Sequence, residues 1–308
     1  MSKDFTRQHI VPKCYLDRFA TCVDKKNGKY VIGTRTIIDG VPKLFEQSTS
    51  QVGYIKNFYD VDDKDDPKYW EHFFADRVDS LCDRKLGSII SSVHLAGDAF
   101  VLSSEAIRTL STIMIAQSLR VPSSLDYFNQ TIYPRVSSSV KNRFYSVMPP
   151  QVVKRYRRLI EEIEMSDQEK KENYLNSSFN EEQFDRYVQI LCQRTWIILL
   201  NDIYETVPFV TSDNPVLIER FDDPDSLGIF KNGISDPQTC LFFPLSPSIA
   251  VANYSDRGIF ALSATKINGR IFRLNEQKYI IQRNIRMIEQ AYKHAFIPHP
   301  FYDYLTNL

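Results

Sequence analysis

The hydrophobic pattern of this chain changes period twice, and that change limits its fold more than any single motif does. Near the start, Lys29 to Ile38 (KYVIGTRTII) and Lys43 to Glu46 flank Asp39-Gly40, a turn pair set between β-branched residues, which predicts a hairpin. Helical spacing then takes over. Asp66 and Pro67 suit a helix start, and Trp70, Phe74, Val78, Leu81 and Leu86 roughly follow a 3.6-residue period, so the spacing predicts a helix running to about His94. A second helix is expected from Ser103 or Ser104, with Ile107, Leu110, Ile113 and Met114 facing inward. It must stop by Arg120, because Val121 precedes Pro122 and is pushed out of helical geometry.

Gln151 to Asp167 and Asn180 to Tyr204 read as two further helices, the latter opened by Asn180 with Gln183 three residues on. From Pro208 the period shortens again. Phe209 to Thr211, Val216 to Ile218, Leu241 to Leu245, Ile249 to Ala252, Ile259 to Leu262 and Arg270 to Arg273 are short β-rich runs broken by Pro, Gly, Asn and Asp. A helix from about Asn275 to His294, with Ile281, Ile285, Ile288 and Ala291 as its stripe, closes the chain. The expected class is α+β: a helical middle, with a mostly antiparallel sheet formed by the N-terminal hairpin and the C-terminal strands. At 308 residues this is expected to be a single family domain over 1–308, with its helical middle at about 66–204, its β-rich segment at about 208–273 and its closing helix at about 275–295.

Composition excludes more than it assigns. Thirty-eight Lys and Arg balance thirty-eight Asp and Glu, so no net field draws the chain to nucleic acid or to an anionic membrane, and any basic surface must be local. One such face is offered by Lys141, Arg143, Lys154, Arg155, Arg157 and Arg158, with Tyr145 and Tyr156 for stacking. Glu161, Glu162 and Glu164 dilute it, so nucleic acid is a weakly supported partner. Cys14, Cys22, Cys82, Cys192 and Cys240 are odd in number and contain no C-x-x-C pair, which argues for reduced thiols. With no signal-peptide core and no apolar run near the ~18 residues of a membrane span, the expectation is a cytoplasmic protein with no membrane partner. Phosphate-binding glycine loops, the dinucleotide turn, the zincin helix and the serine elbow are all missing from the sequence.

The functional clues are polar side chains on apolar faces, because an unpaired buried polar group costs ~1 to 3 kcal/mol and a charge costs more. Gln117 and Arg120 extend the stripe of Leu110, Ile113 and Met114, aiming an amide and a guanidinium inward. In Thr211-Ser212-Asp213-Asn214-Pro215 a strand ends at a sharp corner that can present the Asp213 carboxylate. Phe243-Pro244-Leu245-Ser246-Pro247 stops another strand, and both turns are expected to line one cleft. His9 stands in Gln8-His9-Ile10-Val11-Pro12, ahead of Tyr15, Leu16 and Phe19. Glu71 lies beside the Trp70 face, and Asn284 lies close to the last stripe, where it reads as a buried tether. Each of these positions has a bland reading as well: a snorkelling arginine, turn chemistry, a capping histidine, a helix-dipole partner.

Taken together, Gln8 to Phe19, Asn57-Phe58-Tyr59, Glu71, Gln117 to Pro122, Thr211 to Pro215 and Phe243 to Pro247 resemble the bacterial domain-of-unknown-function family numbered 4238, in order and spacing, over nearly the whole chain. The resemblance implies one family domain in a soluble bacterial protein and brings no established activity. A link to phage defence or toxicity is an analogy only. His-Ile-Val-Pro also opens the first strand of many HNH endonucleases, but no His occurs between His9 and His72 to supply the second ligand of that compact site.

The leading expectation is a hydrolase, a metal-assisted phosphodiesterase or nuclease acting on a phosphate-containing substrate. In it His9, Glu71, Arg120 and Asp213 form the catalytic set, and Tyr15, Gln117, Ser212 and Asn214 bind the ligand. Asp213 and Glu71 would hold Mg or Mn or orient water, His9 would be the base, and Arg120 would neutralise phosphate. The alternative is a noncatalytic sensor or binding module for an anionic small molecule or peptide end. A third reading makes the same residues buried structural ties.

Overall fold

The computed structural model describes residues 7–61, 66–220, 233–257 and 264–298. The chain opens with β1 (Arg7–His9), α1 (Lys13–Leu16) and β2 (Thr21–Asp24), followed by the hairpin β3 (Lys29–Ile38) and β4 (Val41–Ser48) and by β5 (Tyr54–Lys56). The hairpin is the expected one: Ile38 faces Val41, and Asp39 and Gly40 take φ of 52° and 77°, the paired left-handed conformation of a two-residue turn. β1 and β5 pair on their own, Arg7 opposite Lys56 and His9 opposite Tyr54.

The next helix is not regular. α2 (Tyr69–Phe74) passes through two wide π turns, Ala75–Asp79 and Cys82–Leu86, into α3 (Gly87–Ala96). The buried residues explain why: Trp70, Phe74, Val78, Cys82 and Leu86 recur every four residues. On a regular helix of 3.6 residues per turn such a stripe drifts by about 40° at each step, and each π turn absorbs one extra residue and returns the stripe to the core. Cys82, not the expected Leu81, is therefore the inward residue. α4 (Ser104–Leu119) follows, with the Ser103 hydroxyl accepting from the Ala106 N–H as its cap.

After α4 come α5 (Pro122–Tyr127), α6 (Tyr133–Val147), α7 (Pro150–Glu162), α8 (Asp167–Ser178) and α9 (Glu181–Cys192). Asn180 caps α9 as expected, its Oδ1 accepting from Glu182 and Gln183. The helix does not continue to Tyr204, however. It stops at Cys192, and β6 (Thr195–Asn201) is a strand in the interior of a sheet. Nearly every residue of β6 is buried, so the strand shows no alternation, and a short apolar run buried on both faces cannot be told from helix by periodicity.

β7 (Thr211–Ser212), β8 (Leu217–Arg220), β9 (Thr239–Pro244), β10 (Ile249–Tyr254), α10 (Ala264–Ile267), β11 (Arg270–Leu274), α11 (Gln277–Glu289) and β12 (His294–Ile297) complete the chain. The run expected at Ile259 to Leu262 lies outside the described residues. The strands form two five-stranded sheets. One has the order β11-β6-β10-β9-β8, antiparallel except where β11 joins β6 in parallel. In the other, the hairpin meets C-terminal strands: β12 pairs β3 on one side and β7 on the other. The class is α+β, and the hairpin shares its sheet with only two of the C-terminal strands.

The closing helix ends at Glu289, earlier than expected, and His294 starts β12 instead. Its buried line is Ile280, Asn284 and Met287, with Ile281 and Ile288 at the margin. Asn284 is the expected tether: Oδ1 accepts from the Val210 N–H at 3.1 Å and Nδ2 donates to the Pro208 carbonyl at 2.8 Å. One apolar core runs from Ile10 through the helices to Phe296, and a smaller one lies around Phe209, Phe242 and Met287. No helix among the described residues is long and apolar enough to cross a membrane.

Candidate functional site

The N-terminal motif is fixed from both sides. Tyr15 is buried and stacks on Phe243 at 5.2 Å, and its hydroxyl donates to the Pro244 carbonyl at 2.8 Å and shares a 2.7 Å hydrogen bond with Thr211 Oγ1. Through this one phenol, three motifs distant in sequence meet. Gln8, also buried, accepts from the Tyr59 N–H and donates to Asp60, which joins β1 to the segment ahead of α2.

Arg120 is the centre of the arrangement. It ends α4 fully buried, with Nε donating to the Ile10 carbonyl at 2.8 Å, Nη2 to the His9 carbonyl at 2.9 Å and Nη1 to Asp79 Oδ1 at 2.8 Å. The face of Phe74 lies under the guanidinium carbon at 5.2 Å, and the buried Tyr59 hydroxyl lies 3.4 Å from the carbonyls of both His9 and Arg120. Burial works against the guanidinium charge, but Asp79, Tyr59 and Glu71 outweigh it and hold the group protonated. A guanidinium with all three nitrogens engaged and no exposed surface is a clamp on β1 rather than a hand extended to a ligand.

The clamp sets the surroundings of His9 and Glu71. Burial pushes the His9 imidazole below its ordinary value; the Asp79 carboxylate opposes this, and Arg120 and Lys13 reinforce it. Its Nε2 is buried without a hydrogen-bond partner among the described residues. Glu71 moves the other way. Burial raises it, Arg120 pulls it back and Asp79 pushes it further up. A histidine biased toward its neutral form and a carboxyl biased toward protonation therefore both interact with the Arg120–Asp79 pair, the protonation states that a general base and a general acid need. Lys13 and Lys68 add positive charge nearby, although Lys13 pairs with Asp17 and Lys68 with Asp60, both at 2.7 Å.

None of the other expected residues is hydrogen-bonded to Arg120, His9 or Glu71 among the described residues. Asp213 does sit at a corner, but its carboxylate is taken up by backbone: Oδ1 accepts from the Tyr292 N–H at 2.7 Å, and Oδ2 from Lys293 and His294 at 2.8 and 2.9 Å. Burial pushes this carboxyl up while those three N–H groups and His294 push it down. Ser212 Oγ closes the turn on Asn214, donating to its carbonyl and accepting from its N–H, and Asn214 exchanges hydrogen bonds with Gln290. Gln117 is buried as expected, three residues before Arg120, with neither amide atom hydrogen-bonded among the described residues.

Asp79 was not expected. It falls inside the first π turn, and the four-residue repeat of the buried stripe was the signal that the helix would widen there and bring a carboxylate round to Arg120.

Of the carboxylates expected to hold Mg or Mn, Asp213 is taken up by backbone N–H groups, and Glu71 interacts electrostatically with Arg120 and Asp79. Among the described residues no group of three or more His, Cys, Asp and Glu lies together in a way that would hold a metal ion. The donor set does not fit such a cation.

The family model described as "Protein of unknown function (DUF4238)" matches residues 7–298. No curated protein and no solved structure matches the chain.

Proposed function

The chain belongs to the DUF4238 family, whose description carries no activity, and from that premise we propose that it is a hydrolase of phosphate-containing substrates working by acid–base chemistry at the mouth of the Arg120 clamp. His9 takes the proton of the attacking water, and Glu71 protonates the leaving oxygen. Arg120 acts through them as a positioning residue, since it has no exposed surface. The observation that carries this reading is that the His9 imidazole, with its buried Nε2 free of hydrogen bonds among the described residues, and the half-buried Glu71 both interact with one ion pair whose guanidinium is fully buried. Lys13 and Lys68 add only part of a positive field for a phosphate, since each is paired with an aspartate at 2.7 Å.

The test is turnover of labelled DNA, RNA and nucleotides by the full chain, with and without Mg²⁺ or Mn²⁺. Loss of ~10²-fold or more in His9→Ala and Glu71→Gln is the expected result. Turnover that survives both substitutions, or no product from any substrate, overturns the assignment. Tight binding of a nucleotide without product would favour the sensor reading.

A further inference from the structure

We infer that the hairpin of α6 and α7 forms a binding groove for an anionic single-chain amphiphile, independent of the site around Arg120. No residue of either helix is buried, although both carry apolar faces. Val136 is 54% exposed, Val140 63%, Leu159 60% and Ile163 60%, more aliphatic surface on two neighbouring helices than solvation alone explains. Val136, Val140 and Ile163 border a groove of about 690 Å³, which Asn173 and Ser177 of α8 also line, within the range of small-molecule sites. Ile132, Val136, Val140 and Phe144 recur every fourth residue along it, a stripe of about 18 Å at 1.5 Å per residue, with Ile160 and Ile163 opposite. An extended alkyl chain fits that shape.

Charge identifies the other end of the ligand. Residues 133–162 contain seven Lys and Arg against two Asp and Glu, a local net charge of +5 in a chain whose charges balance as a whole. Arg157 and Arg158 are committed to Glu161 and Glu162 at 3.0 and 2.8 Å. Lys141 lines the groove, and its ammonium donates to the Glu161 carbonyl at 3.0 Å, with no ion pair to a carboxylate among the described residues. An ammonium held at the rim of an aliphatic groove is complementary to a carboxylate or phosphate at the end of an acyl chain. Nucleic acid is the poorer match, because Tyr145 and Tyr156, the rings outside the groove, are already faced by Arg157 and Arg155 at 6.0 and 5.4 Å.

Calorimetric titration of the full chain with dodecanoate tests the inference, with dodecanol and butyrate as the tail-only and head-only controls. Saturable binding of one dodecanoate is expected, weakened about tenfold or more for dodecanol and in Val140→Asp and Lys141→Glu. Both positions belong to helices without buried residues, so the unliganded melting temperatures should stay at the parent value. No binding of dodecanoate, or binding that both variants leave unchanged, overturns the inference. So does sedimentation with phosphatidylglycerol vesicles that dodecanoate fails to compete away, which would put a bilayer surface in place of a single ligand. An RNA complex abolished by the same two substitutions, with no response to dodecanoate, would overturn it as well.

Discussion

Arg120 and Asp79, forty-one residues apart, are joined at 2.8 Å with the guanidinium wholly out of solvent and the carboxylate 30% exposed. The pair couples the end of α4 to the widened turn after α2, and the two remaining nitrogens of the same arginine hold the carbonyls of His9, the last residue of β1, and of Ile10 just after it. Its energetic weight falls on the buried side. Arg120→Ala strands two carbonyls and a carboxylate, and is expected to cost about 3 to 5 kcal/mol in urea unfolding. Arg120→Lys keeps the charge but cannot reach three acceptors with one ammonium, so it should recover less than half of that loss. A loss below about 1 kcal/mol in Arg120→Ala would mean that the clamp does not hold β1 in place.

Asp213→Asn separates structure from chemistry at the second motif. The amide that replaces the carboxylate keeps one acceptor oxygen, and its NH₂ group then faces backbone N–H donors, so at least one of the three from Tyr292, Lys293 and His294 loses its acceptor. The expected cost is about 2 to 3 kcal/mol, with turnover, where measured below the melting transition, close to the parent rate. A stable variant that has lost turnover would return Asp213 to the reacting groups.

The His9 displacement predicts a pH dependence. Its folded-state value lies below the ordinary 6.5, so between the two the unfolded chain binds the extra proton. The stability it contributes is present above pH 6.5 and is lost as pH falls through the lower folded value. Glu71 acts in the opposite sense: its folded value lies above 4.5, so its contribution is complete below 4.5 and is lost as pH rises through the folded value. Urea midpoints across this range should therefore fall on acidification below neutrality, and His9→Gln should flatten that limb while Glu71→Gln leaves it in place. An unchanged acid limb in His9→Gln would show that another group carries it.

The hairpin turn offers a test free of packing. Gly40 has a φ of +77°, and a Cβ placed on it meets no atom within 4 Å, so Gly40→Ala measures the backbone alone. The left-handed conformation costs an L-residue about 1 to 2 kcal/mol. Denaturant unfolding should show a loss in that range, and a neutral substitution would mean that the turn relaxes without disturbing the pairing of Ile38 with Val41.

Local chemistry was legible from the sequence wherever neighbours along the chain supply the reason for a conformation. Asp39-Gly40 fixed the hairpin, Ser103 and Asn180 started their helices, Pro122 ended the helix before it, and Asn284 declared itself a tether by being polar on an apolar line. The inward aim of Gln117 and Arg120 followed from spacing alone. What these residues meet did not. Asp79 reaches Arg120 because two π turns re-phase a helix whose stripe repeats every four residues. β6 is an interior strand whose side chains are buried on both faces of its sheet, which erases the alternation that would have marked it. α11 ends at Glu289, and the N–H groups of the segment that follows find their acceptor in a carboxylate some eighty residues earlier. Amino-acid order determined which groups leave solvent, since burying apolar surface is a property of each side chain. The tertiary structure decided which partners they find there, because hydrogen bonds and ion pairs depend on distances that periodicity does not contain.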